Sequence, residues 1–456
     1  MEILNFIVGL GASVLMPIVF MIIGLAIKLR VGKSFKAGLM VGIGFIGLSI
    51  TVGLMIDSLT PVSNAIVEKF GLELNVLDVG WPAAAAVGMG TQVGAFIIPL
   101  CVAINVAMLM TRTTKVLNVD IWNLWHHAVT GSLVAVMSDS LGLGLFAAAI
   151  NCIITTIIAD RTAKDVANTL NLPGISVPHG FSVSFVPAAW LVNFIIDRIP
   201  GIRDITIDIE KLQSKFSLLG DPAALGAIVG VLLAVFAGSD VKTILNTAVT
   251  MAAVMTIIPR MAKMLMEGVY PISERIKEIA QSKLSYLGNL TIGLDSAVSV
   301  GHPVTLTVSL LMIPVMLGLA AVAPGNGFLP FASLTGLPFA FVLVTAVCRG
   351  DAFRTLITAI VTLTASLYIA TDLAPLITSV ATNSGFAMPE GATSISSIDY
   401  AGAMLPWAIV RVFELKHLMI GAVSLVTVGL LFLNYKLLKK DEADEADEAK
   451  GKGLAC

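Results

Sequence analysis

Charged residues are scarce in this chain. Asp, Glu, Lys and Arg make up 13% of its 456 residues, whereas an ordinary soluble protein carries about 25%. Eleven of these charges lie between Lys436 and Lys452, so the rest of the chain is poorer still. Hydrophobic residues reach 57%, which leaves too little polar surface to cover a globule in water. The composition excludes a soluble enzyme, a disordered protein and a nucleic-acid binder, and it indicates an integral membrane protein.

Cysteine is also rare, and its four copies lie far apart in the sequence. No CxxC or CxxxC spacing occurs, so the sequence predicts neither a disulfide framework nor a metal site, and we expect no cofactor. The N-terminus, MEILNF, lacks a basic segment. Its apolar run continues for more than 20 residues to Lys28, which predicts a retained membrane span rather than a signal peptide.

Apolar runs long enough to cross a membrane recur along the chain. A crossing helix needs about 20 mostly apolar residues. Suitable runs lie near residues 6–27, 37–56, 93–110, 127–159 (two spans, broken at 138–140), 222–238, 243–261, 304–323, 331–348, 352–370 and 417–435. Two further segments, 80–90 and 286–301, are too short or too polar and are rich in Gly, Ala and Ser. Such segments are typical of broken helices that enter the membrane and return.

The sequence contains a duplication. Residues 55–66 align without gaps with 265–276, and residues 87–96 align with 298–307 at almost the same offset. The similarity extends over roughly 12–160 against 222–372, and it pairs Asp139 with Asp351 if one residue is inserted. Each copy contains five predicted spans. An odd number of spans places the second copy in the membrane in the opposite orientation.

The basic residues support this inversion, because cytoplasmic loops carry an excess of Lys and Arg. The basic loop follows the first span in copy one but the second span in copy two. We therefore expect an all-α integral membrane protein with eleven transmembrane helices in two inverted repeats, each with a re-entrant hairpin. The N-terminus would lie outside and the C-terminus in the cytoplasm. Segment 181–197 is apolar enough to cross as well, which would abolish the inversion, but Pro187, Asn193 and Asp197 favour a buried or interfacial segment on the cytoplasmic side.

Inverted repeats with broken helices are typical of alternating-access carriers, whose substrate lies near the membrane midplane. Ionisable and polar residues inside apolar runs are candidates for that site, because their burial is costly unless it serves a function. The candidate ligands are Gln92, His127, His179, Asp295, His302 and Asp351, with Thr91 and Asp139 as secondary candidates. Carboxylate, amide and imidazole groups together suit a small, uncharged solute with many hydroxyl groups.

Structural alternatives exist for the histidines. His126 and His127 are neighbours about 100° apart on a helix, so we expect at most one to face the interior, and we select His127. His126 would then lie in an interfacial aromatic belt beside Trp122 and Trp125. His179 could instead cap a turn. Asp295 and His302 have the weakest structural alternatives, since a re-entrant segment offers few other reasons for them.

The other acidic residues also have structural alternatives. Asp351 could form an interfacial salt bridge with Arg349 or Arg354, and Asp139 is better placed as a helix N-cap. Asp57 and Glu267 precede the repeated prolines, where we expect helix ends and a structural role. The acidic C-terminal tail is interpreted as a solvated, disordered end.

Four stretches together resemble the galactitol-specific enzyme IIC family of the bacterial phosphotransferase system. They are GWPAAAAVGMGTQVGAFIIPL, WNLWHHAVTGSL, VPHGFSVSFVPAAWLVNFIID and GLDSAVSVGHPVTL. The resemblance covers nearly the whole chain apart from the charged tail, and ascorbate-type carriers share the design. It implies a homodimer in the bacterial inner membrane that carries a polyol by an elevator movement. A partner enzyme IIB, charged through enzyme IIA, would phosphorylate the solute, so the chain alone is no enzyme.

The resemblance also implies site residues and domains. His127 and His179 match histidines that reach the substrate in ascorbate-type relatives, while Gln92 and Asp351 match less firmly. The expected domains are 1–160 (scaffold 1–60, transport core 74–160), a cytoplasmic or interfacial linker 161–221, 222–372 (scaffold 222–262, core 284–372), an external loop 373–416, a last transmembrane helix 417–437 and a charged cytoplasmic tail 438–456. The alternative function is a secondary transporter in which Asp295, Asp351 or Asp139 binds a proton or Na⁺.

Overall fold

The computed structural model describes residues 12–70, 75–120, 122–205, 207, 221–283, 290–386, 388, 392–415 and 417–453. Helices dominate it, because most of the chain is made of apolar residues whose backbone groups can be satisfied within a helix. The predicted spans all fall on helices, except for residues 6–11, which lie outside the described residues.

The elements of the first half follow one another in a simple order. They are α1 (Ala12–Ala26), α2 (Val31–Phe70), β1 (Leu77–Asp78), α3 (Gly80–Met89), α4 (Gln92–Met110), β2 (Val116–Asn118), a 3₁₀ turn at Trp122–Leu124, α5 (Trp125–Ser138) and α6 (Leu141–Thr169). Strand β3 (Ile175–Ser176) and helix α7 (Gly180–Ile196) lie between the halves.

The second half repeats this order. It contains α8 (Pro222–Ala237), α9 (Val241–Lys283), β4 (Thr291–Gly293), a 3₁₀ turn at Ser296–Ser299, α10 (Pro303–Val322), a 3₁₀ turn at Ser333–Gly336, α11 (Leu337–Val347) and α12 (Ala352–Asn383). The chain ends with β5 (Ile395–Ser396), α13 (Met404–Glu414) and α14 (His417–Gly453). The short strands are a departure from the predicted all-α fold.

Within the described part of the chain, five helices are long and apolar enough to cross a membrane by length and composition. They are Gln92–Met110, Leu141–Thr169, Pro303–Val322, Ala352–Asn383 and Ile420–Asp444. Shorter apolar helices accompany them, including Gly180–Ile196 and Val241–Ile257. The prediction of a helical membrane protein is confirmed at this level.

The two longest helices, α2 and α9, pack antiparallel to each other. A Cβ built on Gly47 would lie 2.9 Å from Met261 Cγ, and a Cβ built on Gly268 would lie 2.9 Å from Val41 Cγ2. The missing side chain of Gly47 therefore leaves room for the Met261 side chain, and that of Gly268 lets its backbone approach the backbone of α2 at Ala37 and Val41. Asp57 and Glu267 lie inside these helices and are exposed. The prediction that they mark helix ends is wrong, because both helices continue through the prolines that follow.

Short parallel strands join the two halves of the chain. β1 pairs with β5, while β4 lies between β2 and β3. Val76, just before β1, forms a parallel bridge with Phe328. The strand that precedes the short helical segment in each half is thus paired with segments outside its own half. These pairs satisfy backbone groups that would otherwise be buried without partners.

The break between α5 and α6 falls where the sequence predicts it, but the capping residues differ. Asp139 has a left-handed conformation (φ 49°) and ends α5, while Ser140 Oγ accepts a hydrogen bond from Leu143 N at 3.3 Å. In the second half, Asp351 is the N-cap of α12. Ser140 is therefore the structural equivalent of Asp351, and no inserted residue is needed. The prediction of Asp139 as an N-cap is wrong.

The C-terminal region is more ordered than predicted. α12 extends to Asn383 and α13 follows β5, so about half of the predicted external loop 373–416 is helical, and Tyr400 within it is fully buried. α14 continues through the acidic sequence to Gly453. Asp441 pairs with Arg161 (3.2 Å) and Lys164 (3.7 Å), and Glu442 with Lys115 (3.2 Å). The prediction of a disordered tail is wrong, because the tail is helical as far as Gly453, and Arg161 and Lys164 of α6 together with Lys115 form ion pairs with its first turn.

Candidate functional site

Two histidines meet where α5 and α7 begin. The His126 ring stacks on Trp125 with centroids 3.9 Å apart, and it meets the rings of His179 (4.6 Å) and Tyr400 (4.7 Å) edge to face. Gly180 permits this approach, since a Cβ at this position would lie 2.7 Å from His126 Cβ and 3.0 Å from Tyr400 Cε2. The prediction that His126 lies in an interfacial belt is wrong, because its side chain is fully buried.

The hydrogen bonds of His126 fix its tautomer. Nδ1 lies 2.8 Å from the carbonyl oxygen of Asn123, which can only accept, so Nδ1 carries the proton. Nε2 then carries the lone pair. This atom is buried and has no hydrogen-bond partner within the described part of the chain. His126 therefore presents an unpaired acceptor, which a hydroxyl group could satisfy.

His179 presents the opposite group. It is the N-cap of α7, and its Nδ1 accepts a hydrogen bond from Ser182 N at 3.3 Å. The proton of the neutral ring is therefore on Nε2, a donor. Burial lowers the pKa of His179, while the charge of Asp295 acts in the opposite direction. The capping alternative is confirmed, and capping leaves the other edge of the ring free to meet His126.

The second short segment holds Asp295 and His302. Asp295 is nearly buried and begins the 3₁₀ turn, with Oδ1 accepting from Ala297 N at 2.6 Å. The pairing of Ser176 with Gly293, and the hydrogen bond from Leu294 N to Ser176 O at 3.0 Å, bring the chain just before Asp295 beside the chain just before His179. His302 precedes α10 without a capping hydrogen bond from its side chain, and its Nδ1 is buried without a partner among the residues described. Burial lowers the pKa of this imidazole.

His127 is also buried, so both neighbouring histidines face the interior, contrary to the prediction that at most one does. His127 Nδ1 lies 3.0 Å from Asn151 Oδ1. The Asn151 amide nitrogen donates to Thr130 Oγ1 at 2.5 Å and to the Tyr400 hydroxyl. This network connects His127 to Tyr400, which itself touches His126.

Thr91 holds the turn between α3 and α4. Its Oγ1 accepts from Gly94 N (3.0 Å), donates to Gly88 O (2.8 Å) and lies 2.7 Å from Ser132 Oγ. These contacts make Thr91 the N-cap of α4 and fix the turn between α3 and α4. Gln92 follows at the first position of α4 and is half-buried.

Asp351 caps α12 and forms a salt bridge with Arg354. Its Oδ1 accepts from Arg354 N at 3.0 Å, and its Oδ2 lies 3.8 Å from Arg354 Nε. Arg354 also pairs with Asp197 at 2.7 Å. The salt-bridge alternative is therefore confirmed.

A pair of buried aspartates lies at the first strand pair and was missed by the sequence analysis. Asp78 accepts four hydrogen bonds: Oδ1 from Gly80 N (3.0 Å) and Ser333 Oγ (2.6 Å), and Oδ2 from Phe331 N (2.8 Å) and Ser333 N (2.9 Å). Burial raises the pKa of Asp78 to about 6. Burial, together with the charge of Asp78, raises the pKa of Asp399 well above its ordinary value. Asp78, whose oxygens accept four hydrogen bonds, is therefore the better suited of the two to carry a charge. Asp399, whose Oδ1 has no partner among the described residues, is the better suited to hold a proton.

Asn151, Thr130 and Tyr400 were missed as well. Asn151 and Thr130 lie inside apolar helices, where a single polar residue gives no indication of which neighbour it meets. Tyr400 did carry an indication, because SIDYA at 397–401 follows β5 as VPHGF at 177–181 follows β3.

Comparison with known proteins gives one consistent result. The model of the EIIC-GAT family, described as "PTS system sugar-specific permease component", matches residues 6–391. A "Putative permease IIC component" from Escherichia coli K12 is 40% identical over 97% of this chain and 100% of its own length. The "PTS system galactitol-specific EIIC component" of Escherichia coli K12 is 38% identical over 97% of this chain and 98% of its own. The relative with the same name from strain O157:H7 has the same values.

The match covers both halves, the short helical segments and the two histidine motifs. The resemblance that the sequence motifs indicate is therefore confirmed. Proteins of this family are multi-pass inner-membrane permeases that work with separate phosphorylating partners, and they are transport subunits rather than enzymes alone. The chain belongs to the family of sugar-specific permease components of the PTS system.

Proposed function

We propose that this chain binds galactitol or a close polyol, carries it across the inner membrane and presents it to enzyme IIB, itself charged by enzyme IIA, for phosphorylation. The observation that carries the proposal is the histidine pair. Among the described residues, His126 presents a buried acceptor without a hydrogen-bond partner, and His179 presents a donor beside it. The galactitol-specific relatives support the choice of solute.

The pair suits a hydroxyl group for a simple reason. A hydroxyl donates one hydrogen bond and accepts others, so one hydroxyl can donate to His126 Nε2 while a neighbouring hydroxyl accepts from His179 Nε2–H. Asp295 nearby adds an acceptor. An uncharged polyol needs no compensating charge in the site, which agrees with two neutral imidazoles. The proposed binding set therefore centres on His126, His179 and Asp295, with Gln92, His302 and Asp351 as further members and Thr91 and Asp139 as secondary ones. His127 is left out of it, because Asn151 holds its Nδ1.

An elevator movement between inverted repeats is the mechanism we propose. The repeated order of elements and the antiparallel packing of α2 against α9 support it. The halves would form two scaffolds (1–60 and 222–262) and a mobile core (74–160 and 284–372), with eleven spans, the N-terminus outside and the C-terminus in the cytoplasm. Exposed apolar side chains such as Ile46 and Ile50 on α2 suit a homodimer interface.

Binding of galactitol to the purified chain tests the proposal. We expect saturable binding that is weakened at least tenfold in His126→Ala and in His179→Ala. His417→Ala, at the first residue of α14, is the matched control and should bind as the parent does. Wild-type affinity in both site variants would reject the assigned pocket. Accumulation in vesicles driven by an ion gradient, without enzyme IIB and phosphoenolpyruvate, would instead favour the ion-coupled alternative, which family membership does not favour.

A further inference from the structure

Two cysteines and a histidine come together between α4, α5 and α6. Cys101 lies on α4, His127 on α5 and Cys152 on α6, and all three side chains are buried. The two sulfur atoms and one ring nitrogen all lie within 4.8 Å of one another. The sequence separates these residues widely, so the spacing rules that identify metal sites could not reveal them.

The hydrogen bonds around His127 prepare one of its nitrogens as a ligand. Asn151 Oδ1 accepts from Thr155 Oγ1 (3.1 Å), and its amide nitrogen donates to Thr130 Oγ1 and to the Tyr400 hydroxyl. The amide orientation is thereby fixed, and the oxygen faces His127 Nδ1 at 3.0 Å. Nδ1 must therefore carry the proton, and the lone pair is on Nε2. Metal-binding histidines are usually held in this way, with the other ring nitrogen donating to an oxygen.

We propose that Cys101, His127 and Cys152 form a site for one divalent thiophilic ion, with Zn²⁺ as the ion that would fill it. Two thiols would lose their protons as two metal–sulfur bonds form, so one ion binds and two protons leave. Two thiolates and a divalent ion are neutral together. A neutral set suits a buried, apolar environment, whereas a monovalent ion would leave an uncompensated negative charge.

The geometry is close to what such an ion requires. Sets of two cysteines and one histidine hold zinc in proteins, with zinc–sulfur distances of about 2.3 Å and zinc–nitrogen distances of about 2.0 Å. Two sulfurs on one tetrahedral zinc are then about 3.8 Å apart. The two sulfur atoms and one nitrogen of the His127 ring lie within 4.8 Å of one another. Side-chain rotations that move these atoms by about 1 Å would therefore complete the site. A bound ion would join α4, which follows the short helix α3, to α5 and α6.

The proposal is tested with Cd²⁺ as the probe. The full chain is purified in detergent under reducing conditions, stripped with a chelator and titrated with Cd²⁺. We expect one ion per chain, a thiolate-to-cadmium charge-transfer absorption, release of two protons per ion, and displacement by Zn²⁺. Cys101→Ser and Cys152→Ser should abolish the absorption, and His127→Gln should weaken binding at least tenfold. The double variant Cys348→Ser/Cys456→Ser is the matched control and should retain the full signal.

Two results would overturn the site. One is an absorption that is absent in the parent or unchanged in the Cys101→Ser/Cys152→Ser variant. The other is a disulfide between Cys101 and Cys152 that persists under reduction. If the serine variants fail to elute as folded protein, X-ray absorption of the zinc-loaded parent decides. Two sulfurs at about 2.3 Å and one nitrogen at about 2.0 Å support the site, and a shell without sulfur refutes it.

Discussion

The imidazole rings of His126 and His179 meet edge to face, 4.6 Å between centroids and 75° between planes. His126 is the second residue of α5 and His179 caps α7, so the contact joins the first half of the chain to the segment between the halves. Each ring uses Nδ1 for a local backbone contact, which leaves the two Nε2 atoms as an acceptor and a donor. The tautomers are therefore complementary before any solute arrives.

The acceptor on His126 gives the first prediction. His126→Gln keeps a hydrogen-bonding side chain, whereas His126→Phe keeps the ring shape but removes the acceptor. We expect His126→Phe to weaken galactitol binding by about 1–3 kcal/mol, the cost of an unmet polar group, and His126→Gln to weaken it less. Titration calorimetry on both variants measures this. Equal affinities for the two would show that the ring contributes only its shape.

Gly180 gives a steric prediction. Gly180→Ala would place a Cβ against His126 and Tyr400, so the rings must move apart. We expect lower thermal stability by about 1–3 kcal/mol and loss of most galactitol binding. Gly429→Ala is the matched control, because nothing lies within 4 Å of its added Cβ, and a helical glycine replaced by alanine gains about 0.5–1 kcal/mol. Unchanged binding in Gly180→Ala would mean that the close contact is unimportant.

The protonation of His179 gives a pH prediction. Its folded pKa is lowered by burial from the ordinary 6.5, so the unfolded chain takes up the proton first as the pH falls. The stability due to neutral His179 is fully present above about pH 6.5 and is lost as the pH falls through the lower folded value. His179→Asn keeps a capping oxygen without titrating, so thermal unfolding should depend less on pH below 6.5 in this variant. An identical pH profile in parent and variant would contradict the assignment.

The two buried aspartates should respond oppositely to amide substitution. Asp78 accepts from four donors, so Asp78→Asn directs an NH₂ group at some of them and should cost about 1–3 kcal/mol. Asp399→Asn replaces a protonated acid and should be close to neutral or stabilising at pH 7. The raised pKa values mean that the parent loses stability as the pH rises through about 6. Asp399→Asn should reduce that loss of stability, measured by thermal unfolding between pH 5 and 8. A larger loss of stability in Asp399→Asn than in Asp78→Asn would refute the assignment of the proton to Asp399.

The end of α14 gives a prediction about ion pairs. Asp441 pairs with Arg161 of α6 and Glu442 pairs with Lys115, and such pairs at the surface contribute about 0–1 kcal/mol each. Asn434 is buried and donates to Thr113 O (2.9 Å) and to Asp160 Oδ2 (2.9 Å). Asn434→Ala should therefore increase hydrogen exchange at 434–453 strongly, whereas Asp441→Asn should have a small effect that high salt reproduces. The reverse order would show that charge, rather than the buried amide, anchors the helix.

Much of the fold could be predicted because each membrane helix corresponds to a long apolar run in the sequence. The positions of α4, α6, α10 and α12, and the break after Ser138, follow from hydropathy alone. The order of elements in the halves also follows, since the repeated Pro61 and Pro271 keep the alignment in register. What hydropathy cannot show is how far a helix continues once its residues become polar. α14 is the example, because its acidic end is helical and forms ion pairs with basic residues that are distant in sequence.

The site was only partly predictable for a different reason. His179 and Asp295 stand alone among apolar or small residues, so their positions are informative by themselves. The choice between His126 and His127 depends on which neighbours each ring meets, and Asn151, Cys101 and Tyr400 lie in other segments. Asp78 was overlooked because its four donors come largely from a loop in the other half. Contacts between distant segments carry this information, and a single sequence does not display them.

The strand pairs that join the halves limit how the protein can be divided. A gene cut within codons 208–220 would produce two polypeptides, one with β1 lacking β5 and the other with β4 lacking both neighbours. Each fragment would leave backbone amides exposed deep in an apolar setting, so neither should persist in the cell by itself. Co-expression should restore both, because each polypeptide supplies the missing hydrogen-bond partners of the other. Each half of this transporter therefore depends on the other for its backbone hydrogen bonds, even though one continuous chain carries both.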